Sequence, residues 1–180
     1  MWSSSDDIVD SRDVFETLAE LQKEIDHWRL YVEEEAKQWW LDTSYAEYIE
    51  TTTDSPQATF DEWAEAHEGE YTAEISDEDV ATNLQQRGEF DLDKYVALKS
   101  ACEEMNTYNC DAERYGETLI AHRYFVEYTQ DLASDLGYIN DEQANTWPFN
   151  CIDWREAAEQ LKPDYTEIDI EGWTFWMRMT

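Results

Sequence analysis

The side chains of this chain that could do chemistry are three histidines, three cysteines and a very large number of carboxylates. A histidine beside a nucleophile or a carboxylate would act as a general base, and histidines and cysteines at regular spacing would hold a metal ion. His27 adjoins Trp28 inside a helical pattern, His67 stands in His67-Glu68-Gly69-Glu70-Tyr71, which is not the HExxH of a zinc hydrolase, and His122 adjoins Arg123. All three read as surface or helix-end residues. A metal site built from Cys110, His122 and Cys151 would need irregular spacing. With no CxxC among them, Cys102, Cys110 and Cys151 are expected to be buried small apolar side chains, not ligands or disulfide partners. The five glycines (Gly69, Gly88, Gly116, Gly137, Gly172) stand alone, so the chain has no phosphate-cradling loop or dinucleotide fingerprint, and no GxSxG appears. These residues point away from an enzyme, and to no cofactor and no metal.

The carboxylates remain. Asp and Glu number 44 against 12 Lys and Arg, a formal charge of −32. Solubility alone is served by a net charge of roughly 2 to 8 in a small domain. The distribution is as uneven as the total: between Lys37 and Arg87 there are 49 residues with no basic side chain and 13 acidic ones. A second gap, from Arg123 to Arg155, carries Glu127, Asp131, Asp135, Asp141, Glu142 and Asp153. Helix surfaces ordinarily mix signs to gain i, i+4 ion pairs, and these segments forgo them. Carboxylates at i, i+3 and i+4 stand roughly 6 Å apart on a helix. Duplex DNA presents about one negative charge per 1.7 Å of its axis to the Lys and Arg rows of its binding proteins. Glu16, Glu20, Glu24, Asp61, Glu62, Glu65, Glu68, Glu127, Asp131 and Asp135 are therefore expected to be exposed and to stand in for phosphates. Such a field repels nucleic acid itself, so the expected partner is a basic protein surface.

These side chains must be carried by a folded core, since 42% of the chain is hydrophobic and 14% aromatic, which separates it from disordered acidic tails. Phe15, Leu18, Leu21, Ile25, Trp28, Val32 and Trp39 recur at three- and four-residue spacing and predict one long amphipathic helix from Val14 to Leu41, ~40 Å in length, capped by Ser11 or Asp13. Residues 42–58, with Thr51-Thr52-Thr53-Asp54-Ser55-Pro56, read as a polar connection holding a short helical turn around Tyr45 to Ile49. Thr59 with Glu62, and Ser76 with Asp79, have capping-box spacing and open helices with Phe60 and Trp63, then Val80 and Leu84, facing inward. Leu92, Tyr95, Leu98, Cys102 and Met105 mark a further helix from Asp91. Beyond it come a short strand at Thr118 to Ile120 and a helix with Tyr124, Phe125, Tyr128, Leu132 and Leu136 on one side, closed by a left-handed Gly137. A short helix framed by Asp153 and Glu156 is stopped by Pro163. Period-two alternation on either side of Glu171-Gly172 then predicts a terminal hairpin. The fold class is α+β, predominantly helical, with a long N-terminal amphipathic helix and a small C-terminal antiparallel sheet. Its regions are 1–41, 42–58, an acidic helical part at 59–110 and an α+β part at 111–180.

No stretch has the apolar length of a membrane span, and the first residues lack the basic start and apolar run of a secretory signal, so the expected location is the cytoplasm. Two other readings account for the acidity. A protein adapted to molar salt is acidic and lysine-poor, and an acidic structural or assembly protein would use exposed Trp and Tyr for protein contacts without mimicking DNA. Calcium storage would call for a D-x-[DN]-x-[DN]-G loop, which the sequence lacks.

Several stretches resemble a known group. Arg114-Tyr115-Gly116-Glu117-Thr118-Leu119-Ile120, Tyr124-Phe125-Val126-Glu127-Tyr128, Asp131-Leu132-Ala133-Ser134-Asp135-Leu136-Gly137, Trp147-Pro148, Cys151-Ile152-Asp153-Trp154 and Asp164-Tyr165-Thr166-Glu167-Ile168-Asp169 are similar to small acidic phage proteins grouped with the ArdA-type antirestriction family. Asp6-Asp7-Ile8-Val9-Asp10-Ser11-Arg12-Asp13-Val14 looks like the opening of the same group. Residues 42–110 and the long Trp-rich helix lie outside the resemblance. It implies an elongated DNA mimic of phage or mobile-element origin, with a homodimer as one form. Such a mimic would occupy the DNA-binding surface of a host defence enzyme in the host cytoplasm, a restriction-modification enzyme on the resemblance; on the charge argument an anti-CRISPR target or a host nucleoid protein would serve as well.

Overall fold

The computed structural model describes residues 2–52, 58–144 and 146–179. The chain divides into two compact units, Leu21–Leu92 and the remainder, Met1–Glu20 with Asp93–Thr180. These boundaries do not coincide with the compositional ones at 41, 58 and 110. Two helices run across them: α1 (Ser11–Thr51) and α4 (Leu92–Tyr108). Helix α1 continues ten residues past the expected end at Leu41, so 42–51 is helical, not connecting chain; residues 53–57 of the expected connection lie outside the described residues. Asp42, Thr43 and Ser44 carry no Pro or Gly to stop the helix, and Tyr45 and Tyr48 give its last turns an apolar side to bury.

The first unit is built on a four-stranded antiparallel sheet of order β1-β2-β4-β3, with β1 at Ile8–Asp10, β2 at Thr118–Ala121, β3 at Tyr165–Ile170 and β4 at Trp173–Arg178. The terminal hairpin and the Thr118 strand stand as the periodicity predicts. Glu171 and Gly172, at φ +51° and +80°, both take the left-handed conformation that a two-residue hairpin loop needs. Strand β1 has no such signal: three residues are too short for alternation, and it exists only because Val9 finds Leu119 across more than a hundred residues of chain. Both faces of the sheet carry buried side chains. Cross-strand pairing places Leu119 with Met177 on one face and Ile120 with Trp176 on the other, so Phe175, Trp176 and Met177 are buried in succession. The Ile120 and Trp176 face packs with Tyr165 against Phe125 of α6 (Phe125–Asp135) and Ala158 of α8 (Trp154–Leu161). Asp153 caps α8 by accepting from the N–H groups of Arg155 and Glu156. Gly137 ends the α6 segment at φ +74° as expected, but Leu136 is 61% exposed and not part of the buried side.

The junction of β1 and α1 is tied to the short helix α5 (Ala112–Tyr115) and the loop after it. Ser11, expected as a cap, is instead fully buried: its hydroxyl donates to the Ala112 carbonyl at 2.8 Å and accepts from the Glu117 N–H at 2.8 Å, while its own N–H donates to the Glu117 carbonyl. The capping role falls to Asp10, whose carboxylate accepts from the Arg12 N–H and is held below its usual pKa range by the Arg12 guanidinium. Gly116, at φ +80°, lies so close that a Cβ would come within 2.6 Å of Arg12 Nε. Ser11→Ala strands a buried donor and a buried acceptor, and is expected to lower unfolding free energy by about 1–3 kcal/mol in urea titrations.

The second unit contains α1 from Leu21 onward, α2 (Phe60–His67) and α3 (Asp77–Gln86). Both capping boxes form: Glu62 accepts from the Thr59 N–H and hydroxyl, and Asp79 from the Ser76 hydroxyl and N–H, which holds each carboxyl below its usual pKa. Ile25, Val32 and Leu41 of α1 are buried, whereas Trp39 is 69% exposed. Drift of about 20° per heptad leaves Trp39 nearly in line with Val32 on a straight helix, so its exposure follows from where the packing partners lie: Trp63 and Tyr71 meet Trp40, with ring centroids 6.4 and 5.9 Å away, and leave Trp39 uncovered. Trp63 is the centre of an aromatic cluster, with its ring 4.3 Å from His67, 5.7 Å from Tyr45, 6.2 Å from Tyr48 and 6.4 Å from Trp40.

Candidate functional site

Nine of the ten carboxylates singled out from spacing are exposed: Glu16, Glu20, Glu127, Asp131 and Asp135 in the first unit, and Asp61, Glu62, Glu65 and Glu68 in the second. Glu24 is the exception, half-buried on α1 next to Ile25. Exposure is not the same as availability. Glu62 is committed to its capping box, Glu68 forms an ion pair with Lys37, and Asp131 accepts the Tyr124 hydroxyl at 2.7 Å. Glu16, Glu20, Asp61, Glu65, Glu127 and Asp135 form no ion pair among the described residues. The exposed acids of α1 between 42 and 51, Asp42, Glu47 and Glu50, belong beside them and escaped the spacing argument because that segment reads as a connection. The absence of any Lys or Arg there was the signal that could have found them.

Basic side chains are spent inside the units. In Leu21–Leu92, 20 Asp and Glu face 4 Lys and Arg, a formal −16. Three of those four are engaged: Arg29 donates to the Ile75 carbonyl at 2.7 Å and pairs with Asp77, Lys37 pairs with Glu68, and Arg87 pairs with Glu35 while lying 5.0 Å over the Tyr31 ring. The first unit has 24 acidic residues against 8 basic, again −16. There Arg12 pairs with Asp10, Arg123 with Asp7, and Lys162 with Glu159. The carboxylates left over far outnumber the remaining basic side chains in both units.

In the first unit a depression of about 400 Å³ gathers Glu16 and Glu20 with Asp13, with Glu171 of the hairpin loop and with Lys94, against the Trp2 indole. Trp2 is held by donation from its ring nitrogen to Thr17 Oγ1 at 2.9 Å. Four carboxylates from two distant parts of the chain thus surround one hollow, with one Lys among them. The same field shows at Tyr124, whose phenol is pushed up to about 12, first by its bond to Asp131 and then by burial and the charges of Asp131, Glu127 and Asp7.

The nucleophile and ligand candidates do not converge. His27 is exposed with its ring against Trp28, His67 places Nδ1 2.7 Å from the Trp63 carbonyl oxygen and stacks on the Trp63 ring, and His122 stacks on Trp176. Among the described residues no group of three or more His, Cys, Asp or Glu is arranged to hold a metal ion. The expectation of three buried cysteines is corrected: Cys102 is buried in α4, while Cys110 and Cys151, which stand at a turn and at the end of a 3-10 segment, are exposed. Burial, followed by the charges of Glu113 and Glu103, pushes the Cys102 thiol up to about 12. A thiol reagent at pH 8 is therefore expected to modify two cysteines rapidly in the folded protein and the third only after denaturation, as counted by absorbance and located by peptide mapping.

Among the described residues no helix is long and apolar enough to cross a membrane. No family model matches the chain, and neither a curated protein nor a solved structure shows significant similarity to it.

Proposed function

We propose that the protein is a DNA-mimic inhibitor of phage or mobile-element origin, working in the host cytoplasm, whose carboxylates occupy the DNA-binding surface of a host defence nuclease of the restriction-modification or CRISPR type. The observation that carries this reading is the distribution of charge: each unit holds a formal −16, and ion pairs within the units engage three of the four basic residues of Leu21–Leu92 and three of the eight of the first unit, so a large acidic surplus remains in both. Exposed Glu127, Asp131 and Asp135 repeat at i, i+4, and Asp61 and Glu65 do the same. A surface of this kind attracts rows of Lys and Arg and repels nucleic acid. The resemblance of residues 114–177 and of the N-terminal stretch to antirestriction proteins points the same way, and the quoted segments fall within the first unit.

A second reading, an acidic assembly or halophilic protein-binding module without mimicry, is favoured by the exposed rings of Trp39, Trp147 at 81% and Tyr138 at 73%. Salt distinguishes the two. Affinity capture from bacterial lysate, at low and at high salt and with duplex DNA as competitor, is expected to recover DNA-binding proteins that both salt and duplex displace. Partners that survive both treatments would replace mimicry with the second reading.

A further inference from the structure

Helices α6 and α8 pack side by side over the sheet and leave between them an open apolar groove of about 260 Å³, lined by Leu132, Ala133, Leu136, Ala157, Leu161 and Tyr138. Polar groups are few in it. The groove is smaller than most small-molecule pockets, which run to roughly 300–1,000 Å³, and it is shallow, so it suits a few aliphatic side chains projecting from a larger body. Leu136 and Tyr138 stand 61% and 73% exposed at its edge, an arrangement that costs solubility unless something covers them.

The surroundings decide what that something is. From Phe125 to Leu161 the chain has eight acidic residues and a single basic one, Arg155. Asp131, Asp135 and Glu156 are exposed and immediately precede the lining residues Leu132, Leu136 and Ala157. A second copy of this chain would bring its own negative charge to the same place, and an anionic lipid surface would be repelled. We infer that the α6/α8 groove docks a cationic amphipathic helix, one that inserts aliphatic residues spaced i, i+3, i+4 between α6 and α8 and sets Lys and Arg against the surrounding carboxylates. This goes beyond charge mimicry and does not rest on it. Mimicry requires only the carboxylates, whereas the groove adds an apolar anchor that salt does not screen.

The test uses the full chain and two fluorescein-labelled peptides of about 18 residues made of Leu and Lys alone, one with Leu on a single helical face and one with the same composition shuffled so that no face forms. Both have the same charge, so a purely electrostatic surface binds them alike. Anisotropy titrations at roughly 0.3 M salt, where surface charge is largely screened, are expected to show the amphipathic peptide binding about tenfold or more tighter than the shuffled one. Leu136→Gln with Tyr138→Ser removes two exposed groove side chains without altering net charge, and is expected to bring the two peptides to parity with an unchanged melting temperature. Leu136→Ala alone should leave an intermediate preference. Equal binding of the two peptides by the native protein, or a preference that persists in the double variant, overturns the proposal. Failure of the DNA-competition experiment would leave this result unaffected.

Discussion

Replacing Glu16, Glu20 and Glu127 by Gln and Asp135 by Asn in one protein is expected to weaken binding to the captured partner on the order of a hundredfold at low salt, and to flatten the salt dependence of what binding remains. All four are exposed and none forms an ion pair among the described residues, so the fold depends little on their charge, the helix-dipole interaction of Glu127 in the first turn of α6 being a contribution of about 0.3–1 kcal/mol. Removing them from a field of −16 should leave the unit as stable as before, or more stable, because self-repulsion falls. Single exposed ion pairs contribute little, so each substitution alone is expected to change affinity by only a few-fold. The combination acts through the salt slope, which should shrink by up to about one for each carboxylate that meets a cation on the partner. Affinity measured across a salt series reads both quantities. An affinity unmoved by the fourfold variant would exclude charge mimicry by this unit, and a single substitution that abolished activity in a folded protein would point to chemistry instead.

The largest expected effect on stability lies in the other unit. Trp63→Ala should lower unfolding free energy by about 3–5 kcal/mol, a large share of the roughly 5–15 kcal/mol that holds a typical domain folded. Trp63 is 6% exposed, and its ring is the common neighbour of Trp40, Tyr45, Tyr48 and His67, so truncation opens a cavity that four separate side chains would have to fill together. In a unit with this charge, loss of the cluster removes packing that opposes repulsion. Trp39→Ala, one position from Trp40 but 69% exposed, is expected to change stability by less than about 0.5 kcal/mol. Urea unfolding followed by far-UV circular dichroism separates the two. Similar midpoints for both variants would mean that the aromatic cluster does not hold this unit together.

That pair of tryptophans shows where reading the chain succeeds and where it stops. Trp63 was legible as an inward residue because the Thr59 and Glu62 capping box fixes where its helix starts, and the phase of a helix two turns long is settled by its first turn. Trp39 was misplaced because its spacing puts it in line with buried Val32, while Trp63 and Tyr71 pack on Trp40 instead, and no pattern within α1 records which side they cover. The acidic set divides in the same way. Its exposure was largely readable from the composition of the helix surfaces. That Glu68 is taken by Lys37 and Glu24 by partial burial was not, since each depends on which surface folds back onto the helix; the bond from Tyr124 to Asp131 is local, seven residues along one helical stretch, and the assignment of the two residues to opposite sides concealed it.

By itself the sequence determined the charge imbalance, the α+β class, both capping boxes, the left-handed Gly137 and the terminal hairpin. The capping boxes, Gly137 and the hairpin are each set within one helical turn or one strand period, so neighbouring residues suffice to specify them, while the charge and the class follow from composition and pattern summed along the chain. Only the tertiary structure decided that Ile8–Asp10 is an edge strand on Thr118–Ala121, that Ser11 is a buried tie and not a cap, and that Glu171 joins Glu16 and Glu20 around one hollow. Those contacts join residues about a hundred or more positions apart. Their formation depends on closing long loops against the whole of the packed core, and no local pattern records that free energy.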